Sequence, residues 1–330
     1  ITNNQVQVIA LAPSLAVEEV ESTVTAPVEV ALANIPGIEE LRSISRLGLS
    51  VVTVVFDDDV DVYWARQQMS ERLKEAEEAI PPGVAKIELA PVSTGLGEIY
   101  QYRLRVDKAF EKKYDAMELR TLQDWVVRRR MLGTPGVADV NSYGGFVKQY
   151  EVAVQPERMR ALNLTLTDIF QALERNNENT GSAYIEKGHS SYFIRGIGLV
   201  KNLDEIGKIV VKNGAGGMPV LVRDVAAVQY GSATRYGAFV IDTAEAVGGV
   251  VMMLKGGNAR DVVEKVEERV ASIQKSLPEG VHIEPFLNRS DLVNRAVNTV
   301  SRNLIEGALS VVFGWGRLLG NWGGGVMVAL

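Results

Sequence analysis

Pro36-Gly37-Ile38, Pro82-Gly83-Val84, Pro135-Gly136-Val137 and Pro278-Glu279-Gly280-Val281 mark four places where a helical pattern gives way to a strand pattern. Proline cannot continue a helix, and it biases its predecessor toward extended dihedrals. Glycine supplies the left-handed exit common at helix C-termini, and the β-branched residue that follows opens a strand. Four such corners imply two copies of an αβ module. The prolines are 46 residues apart in the first copy (Pro36 to Pro82) and 143 apart in the second (Pro135 to Pro278). The surplus of 97 residues predicts an inserted subdomain, because a structureless loop of that length is improbable in a compact domain.

Outward from these corners, residues 5–11 read as a strand and Glu18 to Asn34 as a helix, kinked at Pro27 and capped by Ser14. Strands at 38–46 and 49–56 turn at Gly48, a helix spans 60–80, and 85–89 closes the unit. This βαββαβ order is that of a split βαβ, ferredoxin-like unit. The second copy reads as a strand at 98–106, a helix at 116–132, and strands near 137–142 and 147–154. Its remaining half follows the insertion, as strand 247–254, helix 260–277 and strand 281–286. The insertion holds a helix at 166–176 and short strands at 183–186, 190–197, 208–212 and 219–222.

Composition narrows the function. A net charge of -6 argues against nucleic-acid binding. With no cysteine, disulfide frameworks, cysteine-type zinc sites and cysteine nucleophiles are excluded. His189 and His282 lie far apart, so a histidine-rich metal site is not expected within this chain. No phosphate-loop pattern and no Ser-His-Asp or Cys-His set is evident, which disfavours an enzyme. Asp57-Asp58-Asp59-Val60-Asp61 lacks calcium-loop spacing and reads as an acidic turn capping the next helix. Arg128-Arg129-Arg130 sits at a helix end, where cations favour the dipole. Met252 and Met253 are adjacent on a strand and face opposite sides, so core packing is expected of them. Met218 precedes a proline in a turn and reads as a surface residue. The chain begins at Ile1 within a strand pattern, without initiator Met, and reads as a piece of a longer polypeptide. In the tail, Gly307 to Gly316 is short for a membrane span and Arg317 interrupts it, so the residues alone leave a buried helix open.

Several stretches together resemble a known family: Arg42-Ser43-Ile44-Ser45 before Gly48-Leu49-Ser50-Val51-Val52-Thr53, Tyr63-Trp64-Ala65-Arg66-Gln67 and Thr94-Gly95-Leu96-Gly97-Glu98-Ile99-Tyr100. Leu119-Arg120-Thr121-Leu122-Gln123-Asp124-Trp125, Gly136-Val137-Ala138-Asp139-Val140-Asn141-Ser142 and Gly248-Gly249-Val250-Val251-Met252-Met253-Leu254-Lys255-Gly256 extend the resemblance. In order and spacing they are similar to the heavy-metal-efflux branch of the resistance–nodulation–division (RND) exporters, the inner-membrane pump subunits of Cus and Czc type.

That resemblance implies an α+β fold of two ferredoxin-like βαββαβ pore subdomains, the second interrupted by an inserted α+β docking subdomain, then the start of a transmembrane helix. The implied boundaries are 1–93 for the first pore subdomain, 94–154 and 238–290 for the second, 155–237 for the docking subdomain, and 291–330 for a membrane helix and the start of the next. It implies a secondary transporter, a cation/proton antiporter, with no cofactor beyond the transported metal cation and the proton-motive force. It further implies a homotrimer in the inner membrane of a Gram-negative bacterium, mainly periplasmic in this portion, in contact with the lipid bilayer. A periplasmic adaptor (membrane fusion protein) and an outer-membrane channel complete the implied assembly; nucleic acid is not a partner. Glu98 and Asp139 are the candidate metal-facing carboxylates, lining one wall of the cleft. Carboxylate ligands suit zinc and its neighbours, and thioethers suit Cu(I), so divalent cations (Zn, Co, Cd, Ni) are favoured over Cu and Ag. The competing expectations are a drug-exporting relative, whose cleft is rich in aromatics, and a soluble periplasmic binding or scaffold protein of ferredoxin-like modules.

Overall fold

The computed structural model describes residues 3–188, 190–213, 217–235 and 237–319. The expectations placed on His189 and on residues 320–330 lie outside them. The strands form antiparallel pairs. Contacts divide the chain into two compact units: Ile1–Arg105, Trp125–Ser142 and Gly248–Leu330 form one, Val106–Asp124 and Tyr143–Val247 the other.

The first unit carries two four-stranded sheets. β1 (Asn4–Leu11), β2 (Ile38–Arg46), β3 (Leu49–Phe56) and β4 (Lys86–Leu89) lie in the order β2-β3-β1-β4, with β1 antiparallel to both β3 and β4. β5 (Glu98–Val106), β6 (Val137–Gly144), β7 (Val247–Met253) and β8 (Val281–Asn288) lie in the order β8-β5-β7-β6. Numbered within each copy, the two orders are the same. In the first sheet one face is apolar: Val6, Val8 and Ala10 of β1 and Val52, Val54 and Phe56 of β3 are buried. Against them pack Val20, Val24, Val28 and Leu32 from one helical run and Ala65, Met69, Leu73 and Ala76 from the helix Val62–Ala79, at helical spacing in both cases.

All four corner glycines are left-handed, with φ of +78° at Gly37, +79° at Gly83, +90° at Gly136 and +83° at Gly280. Their task differs slightly from a helix cap. Val84, Val137 and Val281 each donate a backbone N–H to the carbonyl three residues back, on Pro81, Thr134 and Pro278. Glycine is thus the third residue of a four-residue turn, and in two of these turns proline is the second, the pattern of a type II turn. The helix has already ended: Ile80 follows Ala79 with extended dihedrals (φ -91°, ψ 133°), as expected before a proline.

Other local expectations are refined. Where a kink at Pro27 is expected, the helical run carries a π-helical turn, Glu21–Thr25, between the α-helical segments Val17–Val20 and Ala26–Leu32, with Pro27 in the first turn of the latter. Its buried Thr25 hydroxyl is 2.8 Å from Ser45 Oγ and 2.7 Å from Ser50 Oγ, so a polar group deep in the core is satisfied. A second π-helical turn, Gln123–Val127, lies in the matching helix of the other copy and has no proline to account for it. The helix starting at Val17 is capped not at Ser14 but at Ala16, whose N–H donates to Glu19 Oε2 at 2.9 Å. Asp61 caps the next helix as expected, accepting from Tyr63 N and Trp64 N.

In the second unit, the strand expected near 147–154 forms at Lys148–Val154, but it joins neither four-stranded sheet. It pairs along its length with Ala226–Ser232. The same unit contains the helix Leu166–Arg175, which shares a core cluster with Val154, and a two-stranded hairpin, Thr180–Lys187 with Ser190–Gly196. At the other end of the chain a single helix spans Arg289–Leu319, with Arg302 Nε 2.8 Å from Glu306 Oε1 on its surface. Among the described residues no helix is long and apolar enough to cross a membrane.

Two outcomes follow from these contacts. A Cβ on Gly83 would meet nothing within 4 Å, whereas one on Gly136 would lie 2.6 Å from Val262 Cγ2. Gly83→Ala should cost about 1 kcal/mol from left-handed strain alone, and Gly136→Ala about 2–4 kcal/mol because Val262 must also move. Urea unfolding of the two variants checks that ranking, and equal losses would contradict it. The second outcome concerns the helix Leu166–Arg175. Asp168 Oδ2 accepts from Thr165 N at 2.8 Å and from Thr165 Oγ1 at 2.7 Å. The backbone hydrogen bond first, then the hydroxyl, hold its carboxyl below the usual carboxylate range. With the native value below the unfolded one of about 3.9, the cap's contribution is fully present above that pH and is lost as the pH falls through the native value. Amide protection in this helix should therefore fall only in that acid window, and Asp168→Asn should abolish the pH dependence.

Candidate functional site

The pairing of β5 with β7 decides where Glu98 points. Gly249 faces Tyr102, Val250 faces Gln101 and Val251 faces Tyr100, but Met252 then faces Glu98. Ile99 is the unpaired residue of a β-bulge. Strict alternation would set Glu98 on the side of Tyr100 and Tyr102, both buried. The bulge instead turns Ile99 into the core, with no exposed surface, and brings Glu98 to the other face, where it is exposed. There Gln101 Nε2 donates to Glu98 Oε2 at 3.1 Å. Its sequence signal is the adjacent apolar pair Ile99-Tyr100, which breaks the period of two.

Met252 shares this face. It is half-buried, and Asn141 Nδ2 of β6 lies 3.1 Å from its sulfur. Because β7 lies between β5 and β6, Glu98, Met252 and Asn141 form one row across three strands, about 4.8 Å apart from strand to strand. The row offers a carboxylate, a thioether and a carboxamide. Core packing of the two methionines is only partial: Met253 is half-buried as well, since both sit where β7 leaves the core.

Asp139 is placed differently. Its Oδ1 accepts from Arg128 Nη2 at 3.1 Å and from the backbone N–H of Val140 at 2.7 Å. Arg128 Nε also donates to the Val140 carbonyl at 2.6 Å, so the pair seals the outer edge of β6. The structure does not bring Asp139 and Glu98 together: β7 separates their strands, and Asp139 is engaged by a guanidinium. The arginine run is likewise divided among partners, with Arg129 stacked 4.0 Å above the Trp125 ring and Arg130 bonded to Ser276. His282 is half-buried on β8, with Nδ1 3.4 Å from Gln274 Nε2, and Met218 is exposed. Among the described residues, no group of three or more His, Cys, Asp or Glu is placed to hold a metal ion.

Residues 1–329 match the AcrB/AcrD/AcrF family. The chain belongs to that family. It is 45% identical over 325 residues to the cation efflux system protein CzcA of Alcaligenes sp. strain CT14, covering 97% of this chain and 30% of the relative. It is 39% identical over 358 residues to the nickel and cobalt resistance protein CnrA of Cupriavidus metallidurans, covering all of this chain and 33% of that protein. To the cation efflux system protein CusA of Escherichia coli strain K12 it is 38% over 295 residues, covering 89% of this chain and 28% of that protein. A crystal structure of a heavy metal efflux pump superposes with a TM-score of 0.90 at 34% identity, covering all of this chain and 32% of that one. The chain therefore spans about a third of the length of the relatives it matches.

Proposed function

We propose that this chain is part of the periplasmic portion of a proton-driven RND exporter of heavy-metal cations. The observation that carries the reading is similarity across nearly the whole chain to proteins named for cation efflux and for nickel, cobalt and zinc resistance. Those names, rather than any drug, favour a metal cargo over the drug-exporting alternative. The two sheets with one strand order support two ferredoxin-like pore subdomains at 1–93 and at 94–154 with 238–290. The helices and hairpins that interrupt the second of these in sequence support a docking subdomain near 155–237, with which the Lys148–Val154 strand also pairs.

The cargo assignment rests on Glu98. Its carboxylate is brought by a bulge to an exposed position on the face of Gln101 and Met252, at the cost of a regular ladder, and hard oxygen ligands suit divalent cations. A single carboxylate on an exposed face holds an ion loosely, which suits a transit point better than a resident site. Asp139 is the second wall residue in this reading only if Arg128 releases it.

Assembly is read from the hairpin Thr180–Lys187 and Ser190–Gly196. A two-stranded ribbon is marginal alone in water, yet this one exposes Tyr184, Ile185, Tyr192 and Phe193, the last 79% exposed. Such a ribbon supports contact with a second copy, hence the homotrimer, with a periplasmic adaptor and an outer-membrane channel completing the path. The helix Arg289–Leu319 is the element proposed to approach the inner membrane of a Gram-negative host.

In the complete pump, Glu98→Gln should lower resistance to zinc and cobalt about tenfold, with silver resistance less affected, in an efflux-deficient host at matched membrane levels. Unchanged resistance to all three ions would remove Glu98 from the cation path.

A further inference from the structure

We infer that Met252 is a specificity-determining residue of the same face, selecting softer divalent cations such as cadmium over harder ones such as cobalt. The inference rests on the reading of Glu98 above and adds to it a second ligand that sequence alone assigned to packing.

Three observations converge. First, the bulge at Ile99 makes Glu98 the register partner of Met252, so carboxylate and thioether stand side by side on one face. Without the bulge the carboxylate would lie on the opposite face and the two could not share an ion. Second, Met252 is half-buried at the end of β7 and not enclosed in the core. Third, its sulfur already serves as an acceptor, with Asn141 Nδ2 3.1 Å away. A sulfur lone pair that already meets a neighbouring polar group is placed to take a cation in that group's stead. Asn141 can then turn its carboxamide oxygen to the same ion.

The chemistry of this row separates ions by softness. A carboxylate attracts any divalent cation through charge, and a carboxamide oxygen adds a hard neutral ligand. A thioether adds little for cobalt and more for polarisable cadmium. Glu98 would therefore set affinity for the whole class, and Met252 the order within it.

The test uses the complete pump in an efflux-deficient host, reading cadmium and cobalt resistance at matched membrane levels. Met252→Leu preserves volume and apolar character while removing sulfur. It should lower cadmium resistance about fourfold and leave cobalt within about twofold. Met252→Cys, which restores a soft donor, should recover cadmium resistance; a packing defect would not be recovered selectively. Glu98→Gln should lower both. Equal losses for the two ions in Met252→Leu would make the residue structural and overturn the inference. No loss in Met252→Leu alongside a loss in Glu98→Gln would overturn it while leaving the Glu98 reading standing. No loss in either variant would overturn both.

Discussion

Left-handed backbone at four glycines is the constraint on which the sheet-bearing unit depends. Each of Gly37, Gly83, Gly136 and Gly280 carries φ between +78° and +90°, a region that costs an ordinary residue about 1–2 kcal/mol. Each reversal sends the chain from a helix packed on the sheet into a strand within it. Displacing one turn by a residue would move every side chain of the following strand to the other face. At Gly136 the constraint is doubled. Its carbonyl accepts from Leu254 N at 3.0 Å, and Val262 lies where a Cβ would be. That turn therefore fixes both the start of β6 and the residues just beyond β7, the two strands that carry Asn141 and Met252.

The two sheets of this unit are also tied to each other by polar contacts. Lys255 Nζ donates to Asn4 Oδ1 at 2.7 Å, and Asn4 Nδ2 donates to the carbonyls of Asp57 and Val60. Lys255 N donates to Val92 O, and Ser93 Oγ to Met253 O at 2.9 Å. Asn4 is buried, and a buried amide stripped of partners is costly. The connector between the copies is thus held against the end of β7 beside the Glu98–Met252–Asn141 row, and motion of one sheet relative to the other would be felt at those side chains.

Much of this was legible in the sequence because it follows from local chemistry. The corner prolines and glycines mark the helix-to-strand turns to within a few residues, and their unequal spacing is the sequence signal on which the proposed insertion rests. Less legible were features set by tertiary pairing. Lys148–Val154 has a strand's pattern, but only its partner, Ala226–Ser232, shows which sheet it enters. Family resemblance points to Glu98, whereas the reason it faces outward is the bulge, hinted at only by the adjacent Ile99 and Tyr100. Asp139 looked equivalent to it, and no local signal announced that Arg128, eleven residues earlier in the chain, would engage it. The packing expected of Met252 is only partial, because alternation alone does not say where a strand leaves its core.

The activity proposed for the complete protein is export of metal cations at the expense of the proton gradient. The most direct measurement is the zinc content of energised, efflux-deficient cells expressing the complete pump, against cells carrying the empty vector. Lower retained zinc, returning to the control level when a protonophore collapses the gradient, is the expected result. Equal zinc in the two cell lines, with the pump present in the membrane, would contradict it.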